Sequence, residues 1–342
     1  MKILDLVRDN VKTLKPYSSA RDEYQDFVND MVFLDANENP FDNGVNRYPD
    51  PQQTLVKLEL SKIKNIATNN ILLGNGSDEV LDLIIRAFCE PKTDKVICLP
   101  PTYGMYQVLA NINAVEVVEV PLTNTFQPHL DLILKVSNAK ILFLCSPNNP
   151  TGNSFNKSTI DELLKKFKGI VVLDEAYVDF SKQESWLNRL EEFPNLIITQ
   201  TFSKAYGLAG IRLGVCYAST EIIAVLNKIK PPYNINSLSQ DLALERLKNN
   251  DEVMSEINLI RLERDQLISQ LSSVEYISKI YPTDANFLLI KVDNANLRYK
   301  QLTEKGIVIR NRTTQFGCEN CLRLTVGTPL ENQKLINTLN AI

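Results

Sequence analysis

Histidine is almost absent from this chain: there is one, His129, in 342 residues. That scarcity excludes a histidine-rich metal centre and argues against hydrolases built on a Ser-His-Asp or Cys-His pair. Acid-base chemistry must use another group, and lysine is the leading candidate. Long apolar runs are also missing. The longest, such as residues 141–145, fall far short of the roughly 18 residues that a membrane helix needs, and the charged N-terminal segment shows no targeting pattern. Net charge is only -4, the basic residues are scattered, and no zinc-finger or RNA-binding signature occurs. Neither nucleic acid nor a membrane is therefore an expected partner. The six cysteines are dispersed through predicted helices and strands, which in a chain of this size reads as reduced thiols in a cytosol. Cys318 and Cys321 do form a C-x-x-C. With no second pair and no nearby histidine, it reads as a turn joining two strands, and His129 reads as a surface-loop residue.

What is present is a core-forming pattern, with 44% apolar residues in a chain long enough for two domains. Short β-branched runs at 96–99, 115–120, 141–144, 170–173, 196–199 and 213–217 alternate with helix-like segments such as 78–88 and 157–167. This alternation predicts an α/β fold with a mostly parallel central sheet flanked by helices. Two long helical stretches, 236–249 and 251–272, follow and are expected to link it to a second unit. Runs at 285–292, 306–310 and 322–326, with a closing helix over 330–342, predict a smaller α+β C-terminal domain. The expected division is an N-terminal arm over 1–29, a large domain over 30–250 and a small domain over 251–342.

The segment from Thr201 to Gly214 sets Lys204 among small residues, with Arg212 eight positions on. A lysine so placed can form a Schiff base with an aldehyde cofactor, while Thr201, Ser203 and Arg212 are residue types that hold phosphate. Asp174, directly after the run 170–173, can keep a pyridine nitrogen protonated; its plainer reading is a strand-end cap. Tyr177 can donate to a ring oxygen or simply pack. Asn149 lies in the turn-rich loop 145–152, before Pro150, where an extended backbone can aim its amide at a ligand. Gly76, Ser77 and Asp78 precede an apolar-periodic helix whose free amides can receive an anion, although helix capping also explains them. Arg310 and Arg323 form either a paired anion site or solvated strand charges. In open α/β sheets ligands bind at the carboxyl ends of strands, where Asn149, Asp174 and Lys204 all fall. Together these residues suggest pyridoxal phosphate.

The same motifs resemble the fold-type I pyridoxal phosphate aminotransferases and, within them, the histidinol-phosphate aminotransferase subgroup. The resemblance spans nearly the whole chain, through 14–21, 34–41, 47–50, 76–79, 99–106, 146–152, 173–177 and 322–328. It implies that Lys204 carries the cofactor, Asp174 pairs with the ring nitrogen, Asn149 and Tyr177 bind the ring oxygen, and Tyr103 stacks on the ring. The cofactor phosphate would lie among Gly76, Ser77, Asp78, Thr201, Ser203 and Arg212, with Tyr48 reaching it from the second subunit of a homodimer. Tyr17, Arg310 and Arg323 would hold substrate anions, and Asn37 lies in a loop that would close over them. The stretch between Arg310 and Arg323 is where the anion pocket would be tuned. The implied reaction is reversible transfer of an amino group between histidinol phosphate plus 2-oxoglutarate and imidazole acetol phosphate plus glutamate, in the cytoplasm, for histidine biosynthesis. Two alternatives share the scaffold: an aromatic amino acid aminotransferase and a threonine-phosphate decarboxylase. A regulator built on an aminotransferase domain is not expected, since no DNA-binding segment is seen beside the domain.

Overall fold

The computed structural model describes residues 2–17 and 32–342, and within it two sheets organise the chain. Seven strands form the larger: β1 (Ile71–Asn75), β2 (Lys95–Cys98), β3 (Glu116–Glu119), β4 (Ala139–Cys145), β5 (Ile170–Asp174), β6 (Leu196–Thr201) and β7 (Leu213–Ala218). Their spatial order is β1-β7-β6-β5-β4-β2-β3. The strands β3, β2, β4, β5 and β6 run parallel, whereas β7 is antiparallel to both β6 and β1.

Both faces of this sheet are covered, which is why its strands read as continuous apolar runs. Side chains alternate between two cores. In β4, Leu142 and Leu144 enter one, with Val171 and Leu173 of β5, while Ile141 and Phe143 enter the other, with Ile170 and Val172. The helix Ser77–Phe88 seals the second face through Val80, Leu81, Ile84, Ile85 and Phe88, all buried at the spacing of one helical stripe. Ile3, Val7 and Val11 of the N-terminal segment join that core, and Arg8 N donates to Ala87 O at 3.0 Å. The rest of the expected arm, 18–29, lies outside the described residues.

The smaller sheet is wholly antiparallel: β8 (Ile277–Ile280), β9 (Phe287–Val292), β10 (Arg310–Asn311) and β11 (Cys321–Thr325), ordered β10-β11-β9-β8. The helix Asn250–Leu271 serves both sheets. Its Val253 and Ile257 pack in the larger core and its Leu267 and Leu271 in the smaller. The helix Pro329–Leu339 starts at a capping box between Thr328 and Glu331, with proline in its first turn.

Local patterning missed β1, where a glycine and an asparagine dilute a short run, and β8, whose burial is only partial. It overextended 306–310, of which only Arg310 enters a strand. His129 is exposed, just before the short helix Leu130–Leu134. Cys318 and Cys321 are free and buried at the turn entering β11, closed by Cys321 N donating to Cys318 O at 2.9 Å. No described helix is long and apolar enough to cross a membrane.

Candidate active site

Parallel register brings the carboxyl ends of β4, β5 and β6 to one edge, with Cys145 beside Asp174 and Asp174 beside Thr199. A cleft of about 110 Å³ opens there. Ser77, Asp78, Tyr103, Asn149, Asp174, Tyr177, Thr201, Ser203, Lys204 and Arg212 all line it, so residues spread over some 135 positions of sequence meet in one place.

Asp174 forms the floor and is only 4% exposed. Burial pushes its carboxyl above the ordinary range, while hydrogen bonds from Tyr106 and the backbone of Ala176 pull the other way. The Tyr106 hydroxyl donates to Asp174 Oδ2 at 2.6 Å, and Ala176 N donates to Oδ1 at 3.2 Å. Tyr106 is itself fixed by stacking on Phe143, with ring centroids 4.8 Å apart. The neighbouring Glu175 points away from the cleft into a closed network with Ser185, Trp186 N and Gln200. Strand alternation thus turns Asp174, and not Glu175, towards the cleft.

Lys204 is carried on the turn after β6. Burial, and then the Arg323 guanidinium, hold its amine below the ordinary lysine range, with Asp174 opposing. Its Nζ lies 5.6 Å from the centroid of the Tyr177 ring. Burial first raises the Tyr177 hydroxyl, and Arg323 and Arg312 oppose that rise.

An anion cradle closes one end. Gly76 caps the helix Ser77–Phe88 with φ +79°, a conformation that favours glycine, and a Cβ there would lie 2.7 Å from Arg212 Nη2. A Cβ on Gly214 would lie 2.2 Å from Ser77 N. The turn at Gly76 and Ser77 is therefore pinned between Arg212 and the β7 backbone, with helix amides facing outward. Arg212 Nη1 donates to Ser203 Oγ at 3.3 Å, and Tyr103 donates to Asp78 Oδ1 at 3.0 Å.

At the other end stands the small sheet. Arg323 Nη1 donates to Asn149 Oδ1 at 2.5 Å, and Arg310 pairs opposite Arg323 in the ladder. The loop carrying Asn149 is anchored by Asn148, whose amide donates to Pro101 O at 2.9 Å and to Thr151 Oγ1 at 2.7 Å.

Six anticipated residues are not among those that line the cleft: Gly76 lies in the turn before Ser77, Arg323 and the exposed Arg310 belong to the small sheet, and three others stand apart. Tyr17 is exposed, and Tyr48 stacks on Tyr233 with centroids 4.5 Å apart. Asn37, at φ +55°, shares with Tyr48 a separate hollow that also takes in Arg47 and Asn236. Conversely, Tyr106 and Cys145 reach the site without having been anticipated. Tyr106 reads as core from its helical spacing, and the one available signal was a buried phenol in need of a partner.

A buried acid, a depressed lysine and an anion cradle with a guanidinium suit a phosphorylated heteroaromatic aldehyde. Comparisons with known proteins converge on the same chemistry. The family described as aminotransferase class I and II matches residues 23–339. The chain is 63% identical over 340 residues to the histidinol-phosphate aminotransferase of Flavobacterium johnsoniae, covering 98% of this chain and 97% of that one. Among solved structures it is similar to the histidinol-phosphate aminotransferase from Clostridium acetobutylicum, with a TM-score of 0.80 and 25% identity, covering 87% of this chain and 90% of the other. It shares the fold of the histidinol-phosphate aminotransferase from Sinorhizobium meliloti, solved in complex with pyridoxal-5'-phosphate (TM-score 0.79, 23% identity, 86% and 82% covered).

Proposed function

The chain belongs to the class I and II aminotransferases, and we propose that it holds pyridoxal 5'-phosphate and moves an amino group reversibly between histidinol phosphate and 2-oxoglutarate. The observation that carries this reading is the meeting of Lys204, Asp174 and the Gly76–Arg212 cradle in one cleft. The curated relative named for this reaction supports the substrate.

When bound, the cofactor supplies a conjugated ring that accepts the electron pair left as the substrate α-proton departs. The protein's part is positioning and proton handling. Asp174, anchored by Tyr106, places negative charge at the ring nitrogen, and Asn149 and Tyr177 present hydrogen-bonding groups to the ring oxygen. Tyr103 packs on the ring. Ser77 and Asp78 amides, Thr201, Ser203 and Arg212 take the phosphate. Lys204, its amine held below the ordinary lysine range by burial and Arg323, is placed to hold the migrating proton at Nζ. Arg310 and Arg323 receive the substrate anion.

The active form is proposed to be a cytoplasmic homodimer in which Tyr48 serves the partner's cradle, while Tyr17 and Asn37 close over the substrate. Exposed Tyr48, Leu55, Leu58, Leu238 and Leu242 support a face that a second copy covers. The small domain, read as 251–342, closes the cleft against the large one, read as 30–250.

The test is spectral. Purified enzyme should show visible absorbance that borohydride fixes on Lys204, locatable by peptide mass, and Lys204→Ala should lose it. Titration with histidinol phosphate, phenylalanine and phosphothreonine in parallel should favour the first by about tenfold, some 1.4 kcal/mol. Carbon dioxide release from phosphothreonine, without a half-reaction on histidinol phosphate, would overturn the assignment.

A further inference from the structure

The ladder between β10 and β11 extends one residue past the paired strand. Arg310 opposes Arg323, Asn311 opposes Leu322, and Arg312 N donates to Cys321 O at 2.9 Å. Side chains two apart share a strand face, so Arg310, Arg312 and Arg323 project from the same side of the small sheet. That side meets the cleft. Arg323 reaches Asn149 and lies 5.2 Å from the centroid of Phe287, whose ring stands edge-on to Tyr177 at 5.1 Å. Arg312 is near enough for its charge to act on Tyr177 and on Arg323.

This cluster lacks counter-charge. Among the described residues none of the three guanidinium groups forms an ion pair, and neither Arg310 nor Arg312 makes a side-chain hydrogen bond. Arg312 Nε is buried without a partner, as are Thr313 Oγ1 and Gln315 Oε1 just beyond it. Buried donors left unmade and like charges held together are both costly, and the cations feel it: burial and then Arg310 hold Arg312 below the ordinary range, and burial and then Arg312 do the same to Arg323. A ligand carrying more than one negative charge relieves both penalties. One arginine fork matches a carboxylate, but a phosphate monoester offers three acceptor oxygens and a charge of about -1.5 to -2 at pH 7.

We propose that Arg312 completes, with Arg310 and Arg323, a three-arginine clamp for the phosphate monoester end of the amino substrate, and that it is the residue that separates a phosphate dianion from a single carboxylate. The inference rests on the substrate reading given above and adds a residue to it.

The experiment compares Arg312→Gln and Arg312→Lys with the wild-type holoenzyme, using histidinol phosphate and glutamate in separate half-reactions. Losing a charged hydrogen-bond partner should raise KM for histidinol phosphate about tenfold to a hundredfold in Arg312→Gln. The rise for glutamate should be at least tenfold smaller, and Arg312→Lys should recover part of the loss. Wild-type affinity should also strengthen as pH rises through about 6, the second phosphate ionisation. Arg312→Gln should flatten that dependence, which a structural role would not do. Equal rises for both substrates with an unchanged pH slope, or no rise at all, overturn the clamp. A wild-type enzyme inert towards histidinol phosphate overturns the substrate reading instead.

Discussion

Replacing Gly214 by alanine probes how the cradle is built. The added methyl carbon would lie 2.2 Å from Ser77 N, 2.5 Å from Gly76 C and 2.6 Å from Ser77 Cα. All three are backbone atoms, so no rotamer change makes room. Restoring an ordinary contact of 3.4 Å requires the β7 backbone and the Gly76–Ser77 turn to part by 3.4 minus 2.2, or 1.2 Å. β7 cannot retreat freely, because Gly214 is paired with Gly74 on one side and Thr201 on the other. Overpacking of this kind costs about 1–3 kcal/mol of stability. If the Ser77 amide holds the cofactor phosphate as proposed, displacing it by about 1 Å also forfeits that bond, about 1.5–3 kcal/mol for a charged acceptor. Cofactor Kd should therefore rise about tenfold to a hundredfold. Gly210→Ala is the control, since nothing lies within 4 Å of its added Cβ and its φ is not positive. Both variants would be stripped, titrated with pyridoxal phosphate by absorbance, and melted. If Gly214→Ala binds cofactor and unfolds like Gly210→Ala, the account of the cradle is wrong.

Two further outcomes follow from the charges in the cleft. Because burial raises the Asp174 carboxyl above its ordinary range, its ionised form is the destabilising one in cofactor-free protein, and the penalty develops as pH rises from the ordinary carboxylate range through the raised value. Asp174→Asn keeps both bonding partners once the Tyr106 hydroxyl rotates, so cofactor-free Asp174→Asn should melt above wild type at pH 8, with the gap closing towards pH 4. Its transamination rate should nonetheless fall about 10²–10³-fold; a variant less stable than wild type at pH 8 would refute the burial argument. For Lys204, Arg323 is the second cause of the depressed amine, after burial. Removing that cation in Arg323→Gln should raise the amine, shifting the pH dependence of cofactor capture by stripped enzyme to higher pH. A shift to lower pH, followed as visible absorbance from pH 6 to 10, would contradict it.

Strand-end chemistry was readable because it is local. An apolar β-branched run followed by an acid, an asparagine or a lysine places those groups at a sheet edge once the sheet is parallel, and Asp174, Asn149 and Lys204 needed no more than that. The glycine before an amphipathic helix marked a helix start whose amides could take an anion, although capping alone explains the same residues. What local pattern could not supply was contact across sequence distance. Tyr106 meets Asp174 across 68 positions, and its helical spacing says only that it is buried. Gly214 is a glycine because a turn some 140 residues earlier passes within 2.2 Å of where its side chain would be. The expected pair of Arg310 and Arg323 gained a neighbour in Arg312 only when antiparallel register set the three on one face, with Arg312 Nε buried and unpartnered among the described residues. Sequence alone thus determined which chemistry the chain carries, since that depends on residue type and strand ends. The tertiary structure decided which groups are left unsatisfied, because burial and register are properties of the packed whole.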